Sequence, residues 1–235
     1  MCSSEGCRED KMSLEKIHLS TLLKILYSPD NKQRAELLKD LNQQAKKEAG
    51  VVSSGGGDFH IPFWSDAKDH VVGIADLREQ TKFRVGQNYR RKRLYPLLTT
   101  GFLKWYDEKR RWRNEEVKLI PKSVKKQFPV AELGCIVKVE HILALTVGSD
   151  SCRIIYPYFA ENPVLSEEAA RVGLWLLSQA IPNYKKEDLR VLDILRGNSF
   201  GLTDYPLQGN EKDIFIKKYK RLLEKREELK KEKNK

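Results

Sequence analysis

Residues 137–147 read VKVEHILALTV and residues 152–159 read CRIIYPYF, with Gly148-Ser149-Asp150-Ser151 between them. Val137, Val139, Leu143, Leu145 and Val147 alternate with Lys138, Glu140, Ile142, Ala144 and Thr146, the period-two pattern of a strand with one face buried. Turn residues followed by a second apolar run predict a β-hairpin, with Pro157 placing the second strand at an edge or a bulge. Ser166-Glu167-Glu168 opens a helix, and Ala169 to Ile181 is apolar nearly all round, so that helix is expected deep in the core, stopped by Pro182. Leu189 to Leu195 then reads as a third strand, ended by Arg196-Gly197-Asn198. Hairpin, buried helix and strand predict a small mixed α/β core.

The pattern on either side is helical. Leu98, Phe102, Trp105, Lys109 and Trp112 form an i, i+4, i+7 ladder with Tyr106 alongside. Residues 65–93 read as helix, capped by Ser65 or Asp66, with a weak point at Gly86. Pro121 and Pro129 bracket a short basic helix or turn. Residues 14–27 and about 32–48 form a helical hairpin broken at Ser28-Pro29-Asp30, and a last helix covers about 210–231. Residues 50–57 (GVVSSGGG) form a Gly/Ser joint without the strand, helix and Lys-Ser or Lys-Thr pair of a phosphate loop. The expected class is α+β. It comprises a helical hairpin at 1–50, a linker at 51–64, a basic helical segment at 65–130, and an α/β core with a C-terminal helix at 131–235.

The chain of 235 residues carries 44 Lys and Arg against 33 Asp and Glu, a formal net charge of +11. Residues 51–130 hold +8 of that excess and residues 201–235 hold +4, whereas residues 131–200 are at −2. A basic segment beside a near-neutral core suits a polyanion partner, DNA or RNA. No apolar run approaches the roughly 18 residues of a membrane span. The first residues, MCSSEGCREDKMS, contain no apolar signal region, so a cytoplasmic location and reduced thiols are expected. Cys2 and Cys7 have half of a zinc-site spacing, with Cys135, Cys152 or a distant histidine needed to complete it.

The order hairpin, buried helix, strand over residues 132–200 resembles the core of the PD-(D/E)XK nuclease superfamily, about a third of the chain. The resemblance implies an acid on the first hairpin strand, a D/E-x-K triplet on the second, and magnesium held by the carboxylates. Glu140 stands where the first acid is implied. The second strand, Arg153-Ile154-Ile155-Tyr156-Pro157-Tyr158-Phe159, has neither acid nor lysine, so the usual metal site is broken. Relocated ligands for a metal-dependent nuclease would draw on Glu132 and Glu161.

Tyr89-Arg90-Arg91-Lys92-Arg93-Leu94-Tyr95 and Lys104-Trp105-Tyr106-Asp107-Glu108-Lys109-Arg110-Arg111-Trp112-Arg113 interleave cations with planar rings. Cations neutralise phosphates and rings stack on unpaired bases. Arg90, Arg91, Lys92, Arg93, Lys109, Arg110, Arg111 and Arg113 are the expected phosphate contacts, and Trp105 or Trp112 the expected stacking ring. The competing account is a solvated helix face with its rings in the core. His60, Asp66, Asp69 and His70 gather metal-compatible groups, Asp66 and His70 one helical turn apart. His141 reads as a half-buried structural residue, and Asp193, inside an apolar strand, requires Arg190 or Arg196. No nucleophile elbow, zinc-protease motif or dinucleotide fingerprint occurs. The expectation is a nucleic-acid-associated binding protein with a degenerate nuclease-like core and no cofactor, magnesium entering only with the nuclease alternative. An adaptor that binds protein through the helical termini is the other alternative.

Overall fold

The computed structural model describes residues 13–50, 59–110, 114–121, 124–148 and 151–233, and its class is α+β. Two mixed sheets share the core. A five-stranded sheet runs β2 (Val117–Leu119), β5 (Leu143–Val147), β6 (Ser151–Tyr158), β7 (Leu189–Asp193), β8 (Asn198–Gly201), and a three-stranded sheet runs β1 (Lys16–His18), β4 (Cys135–Val139), β3 (Lys126–Val130). β5 and β6 are the expected hairpin, and β6 and β7 are parallel, joined through α6 (Glu167–Ala180) as a parallel pair requires.

Helices cover both faces of the larger sheet. Ala144, Ile154, Tyr156 and Val191 face one side, where α6, α1 (Leu19–Leu26) and α7 (Glu211–Lys233) pack, with α2 (Asp30–Glu48) behind them. Leu143, Leu145, Ile155 and Leu192 face the other, against α3 (Ile61–Val71), α4 (Leu77–Gln87) and α5 (Leu94–Leu103). The α6 start is the one anticipated, with Ser166 Oγ accepting from the Ala169 N–H at 3.2 Å. Gly173 lets α6 close on Leu23 and Val191, and Gly101 sets α5 directly on the Ile194 and Leu195 carbonyls. Leu22, Leu23 and Leu26 of α1 and Leu37 and Leu41 of α2 lie in the same buried cluster as β4 and α6, so the helical hairpin is built into the core.

Several elements differ from the sequence reading. The apparent strand 137–147 is two strands in two sheets, because His141 adopts φ 62° and turns the chain between them. Odd-numbered residues are buried on both sides of the break, yet Val137 and Val139 enter one cluster and Leu143 and Leu145 the other. Alternation therefore continues across a corner that it does not reveal. β6 is an interior strand. Tyr158 accepts the Ile194 N–H on the β7 side, so Pro157 turns its missing donor toward β5, whose pairing ends at Ile155. Residues 16–18 are a strand in front of α1, and 126–130, expected as helix or turn, form edge strand β3, where Pro129 is tolerated. α3 begins at Ile61 with Pro62 in its first turn, and the break after it falls at Gly73 (φ 74°), ahead of Gly86. The linker residues 51–58 lie outside the described residues. Among those described, no helix is long and apolar enough to cross a membrane.

Candidate nucleic-acid interface and a two-histidine cluster

The stretch Leu77–Arg93 contains seven cations and one carboxylate, Glu79. Asp76 caps α4, its Oδ1 accepting the Arg78 and Glu79 N–H groups at 2.9 and 3.0 Å, and these bonds hold its carboxyl below the usual range. Asn88 starts a 3₁₀ turn at Tyr89–Arg91 by accepting the Arg90 N–H at 3.0 Å. That turn leaves Tyr89 78% exposed, with Arg90 and Lys92 also exposed and the Lys92 ammonium 5.3 Å from the Tyr89 ring centre. No carboxylate among the described residues lies within ion-pair distance of Arg90 or Lys92.

The rest of the run is engaged within the chain, and Arg93 is so while exposed. Arg91 lies over the Tyr95 ring at 5.3 Å and donates to the Arg84 carbonyl at 3.4 Å. Arg93 grips Glu161 with two bonds of 2.5 and 2.6 Å, which lowers the Glu161 pKa and raises that of Arg93. The stacking role of Trp105 is corrected. Trp105 is 3% exposed and packs against Phe102 and Tyr106, because Leu98, Phe102 and Trp105 lie on the buried face of α5 and the π-helical turn Lys104–Lys109 that extends it. Arg110 covers the Tyr106 ring at 3.7 Å. The Lys109 side chain and residues Arg111, Trp112 and Arg113 lie outside the described residues. Exposed Arg78 and Lys82, one helical turn apart on α4, add to the surface, as does Phe83 at 56% exposure. A count of acids against bases over 77–93 would have found them.

No protein-family model matches this chain, and no curated protein matches it significantly.

The residues expected to form metal sites are spread over separate structural tasks. Asp66 is buried and takes two bonds from Arg84 at 2.8 and 2.9 Å. His60 stacks on Phe159 at 4.6 Å, and His70 Nδ1 accepts the Leu77 N–H at 3.3 Å across the α3–α4 turn. Glu132 pairs with Lys212 at 2.8 Å. With Glu161 held by Arg93, neither relocated-ligand candidate is near Glu140 as a free carboxylate. Asp193, 1% exposed, pairs with Arg196 at 3.3 Å; burial raises its pKa against the opposing pull of that guanidinium. Arg196 also donates to the Ala160 and Glu161 carbonyls, so it ties the β7–β8 turn to the end of β6. Burial pushes the Cys135 and Cys152 thiols up, which makes both poor nucleophiles. Cys2 and Cys7 lie outside the described residues.

One group does assemble. His18, Glu140 and His141 each offer a ligand atom within 4.8 Å of the other two, all three half-buried. Parallel pairing of β1 with β4 brings them together, since His18 stands opposite Lys138, two residues ahead of Glu140. His18 Nδ1 and Glu140 Oε2 are 3.8 Å apart, and the imidazole centres are 5.5 Å apart. The corner is clamped from α3, where the Trp64 indole donates to the His141 carbonyl and the Lys68 ammonium to the Ile142 carbonyl at 2.8 Å. Burial, reinforced by Lys125, lowers the Lys68 pKa. The left-handed backbone at His141 costs about 1–2 kcal/mol relative to an ordinary conformation. Glycine would fill the position without that cost.

Proposed function

We propose that this chain binds nucleic acid, unpaired or distorted strands in preference to intact duplex, through the surface of α4 and the turn after it. The observation that carries the reading is Tyr89, 78% exposed next to Arg90 and with the Lys92 ammonium 5.3 Å from its ring centre, on a surface poor in carboxylates. Arg78, Lys82, Arg90 and Lys92 supply charge for successive phosphates, and the Tyr89 ring supplies a face on which a base stacks. The nuclease-like core is part of the same reading: the β5–β6 hairpin, α6 and parallel β7 support the resemblance, whereas Glu140, expected on the first hairpin strand, lies outside it at the corner between β4 and β5. β6 (SCRIIYPY) carries neither acid nor lysine, which supports a degenerate centre. The adaptor alternative uses the helical termini, and the buried leucines of α1, α2 and α7 lie in the core cluster.

The test is a fluorescence-anisotropy titration with single- and double-stranded oligonucleotides at 50 and 200 mM salt. Four neutralised phosphates give a slope of log K against log salt of about −3 for a single strand, so binding weakens about 50-fold between the two conditions. Arg90→Ala with Lys92→Ala halves the slope, and Tyr89→Ala costs about 1–3 kcal/mol of single-strand binding with the slope unchanged. Affinity that is indifferent to salt and to all three substitutions overturns the reading.

A further inference from the structure

The geometry points to a binding site for a divalent transition-metal ion, of the kind imidazole favours, formed by His18, Glu140 and His141. This inference is independent of nucleic-acid binding and differs from the magnesium that the nuclease resemblance implies. Two imidazoles and one carboxylate suit zinc, cobalt or nickel, whereas magnesium selects oxygen donors and retains its water. Around a tetrahedral zinc ion, metal–ligand bonds of about 2.0–2.2 Å place neighbouring donor atoms about 3.4 Å apart. The His18–Glu140 separation of 3.8 Å is too long for a hydrogen bond and a few tenths of an ångström wider than that chelating span. The three ligand atoms lie within 4.8 Å of one another, so side-chain rotations that move them by up to about 1.4 Å complete the chelating span. Three protein ligands leave a fourth position for water or an anion, the pattern of an open site.

A second observation comes from the backbone. His141 occupies a left-handed conformation (φ 62°) at the corner where the chain leaves one sheet for the other, and α3 fixes that corner through Trp64 and Lys68. A histidine where glycine fits better, next to two further ligand-type side chains, agrees with a role for the imidazole itself. The Glu140 carboxylate favours a cation, while the Lys68 ammonium on the Ile142 carbonyl, with Lys125 near it, opposes one and sets a limit on the affinity.

The test is calorimetric titration of the full-length chain with zinc, together with the visible absorption of bound cobalt. Parallel measurements use His141→Gly, Glu140→Gln and a Cys2→Ser/Cys7→Ser background. His141→Gly suits the φ of the position, so it removes a ligand while leaving the fold intact, which circular dichroism checks. The expected result is one zinc per chain in the wild type and in the cysteine-free background. Affinity falls about tenfold or more in both ligand variants, cobalt shows a tetrahedral spectrum, and millimolar magnesium does not compete. Absence of zinc binding overturns the inference. Binding that survives His141→Gly and Glu140→Gln, that vanishes with Cys2 and Cys7 alone, or that magnesium displaces does so too.

Discussion

The two most basic regions of the molecule use their charge in opposite ways. Helix α7 spends its cations on its neighbour. The Arg226 side chain, almost wholly buried, bonds Asp40 at 2.7 Å and Gln44 at 2.6 Å, Lys225 bonds Asp30 at 2.8 Å, and Arg34 of α2 reaches back to Glu232 at 3.0 Å. The surface of α4 and its following turn has Glu79 as its lone carboxylate between residues 77 and 93, so Arg90 and Lys92 face water. Segment charge alone, +8 and +4, does not separate these cases. What separates them is whether another element supplies a carboxylate: α2 does so for Lys225 and Arg226, whereas Asp66 and Glu161 reach Arg84 and Arg93 but not Arg90 or Lys92.

Removing a cation from each region breaks the comparison most directly. Arg226→Ala strands Asp40 beside a buried gap and is expected to cost about 3–5 kcal/mol in urea unfolding, as loss of one partner of a buried pair does. Arg90→Ala is expected to change stability by less than about 0.5 kcal/mol. Equal costs at the two positions would remove the distinction. Gly101→Ala tests the seat of the basic layer. An added Cβ would lie 2.2 Å from the Ile194 carbonyl oxygen, which is backbone and does not yield. The expected loss is about 1–3 kcal/mol, and salt-sensitive binding should weaken with it if α5 keeps the adjoining turn in place.

Much of this arrangement is legible in the sequence. Ser166 ahead of two acids and an all-round apolar run define α6, and the apolar strand with its internal Asp193 defines β7 together with its need for Arg190 or Arg196, of which the structure uses Arg196. Local signals fail where a tertiary partner decides. β1 is three residues long and exists through pairing with β4, more than a hundred residues away. β8, Asn198–Gly201, begins in residues that also read as a turn. Periodicity passes through His141 without interruption, which hid the corner and with it the reason that His18 meets Glu140. Trp105 shows the reverse error: rings interleaved with cations suggested a stacking surface, and the helical spacing that argued for core decided the matter.

Titration provides the finest separation, because a carboxylate of α2, beside α7, and one under α5, on the side of the basic layer, respond to acid with opposite sign. At Glu36 of α2, burial raises the pKa, but the bond and charge of Lys24, with Lys39 behind them, outweigh it and hold the folded value below 4.5. The folded state therefore binds that proton less readily than the unfolded chain. Its contribution to stability is present above the unfolded pKa and is lost as pH falls through the folded one. At Asp193, under the β7–β8 turn beside α5, burial dominates and the folded pKa is raised above 3.8. Its contribution is present below the unfolded pKa and is lost as pH rises through the raised value. Relative to wild type, Glu36→Gln should thus grow less stable, and Asp193→Asn more stable, as the pH is taken from strongly acidic toward neutral. Chemical denaturation of both variants across that range gives two difference curves, and slopes of the same sign would show that Asp193 is held charged by Arg196 as firmly as Glu36 is by its lysines.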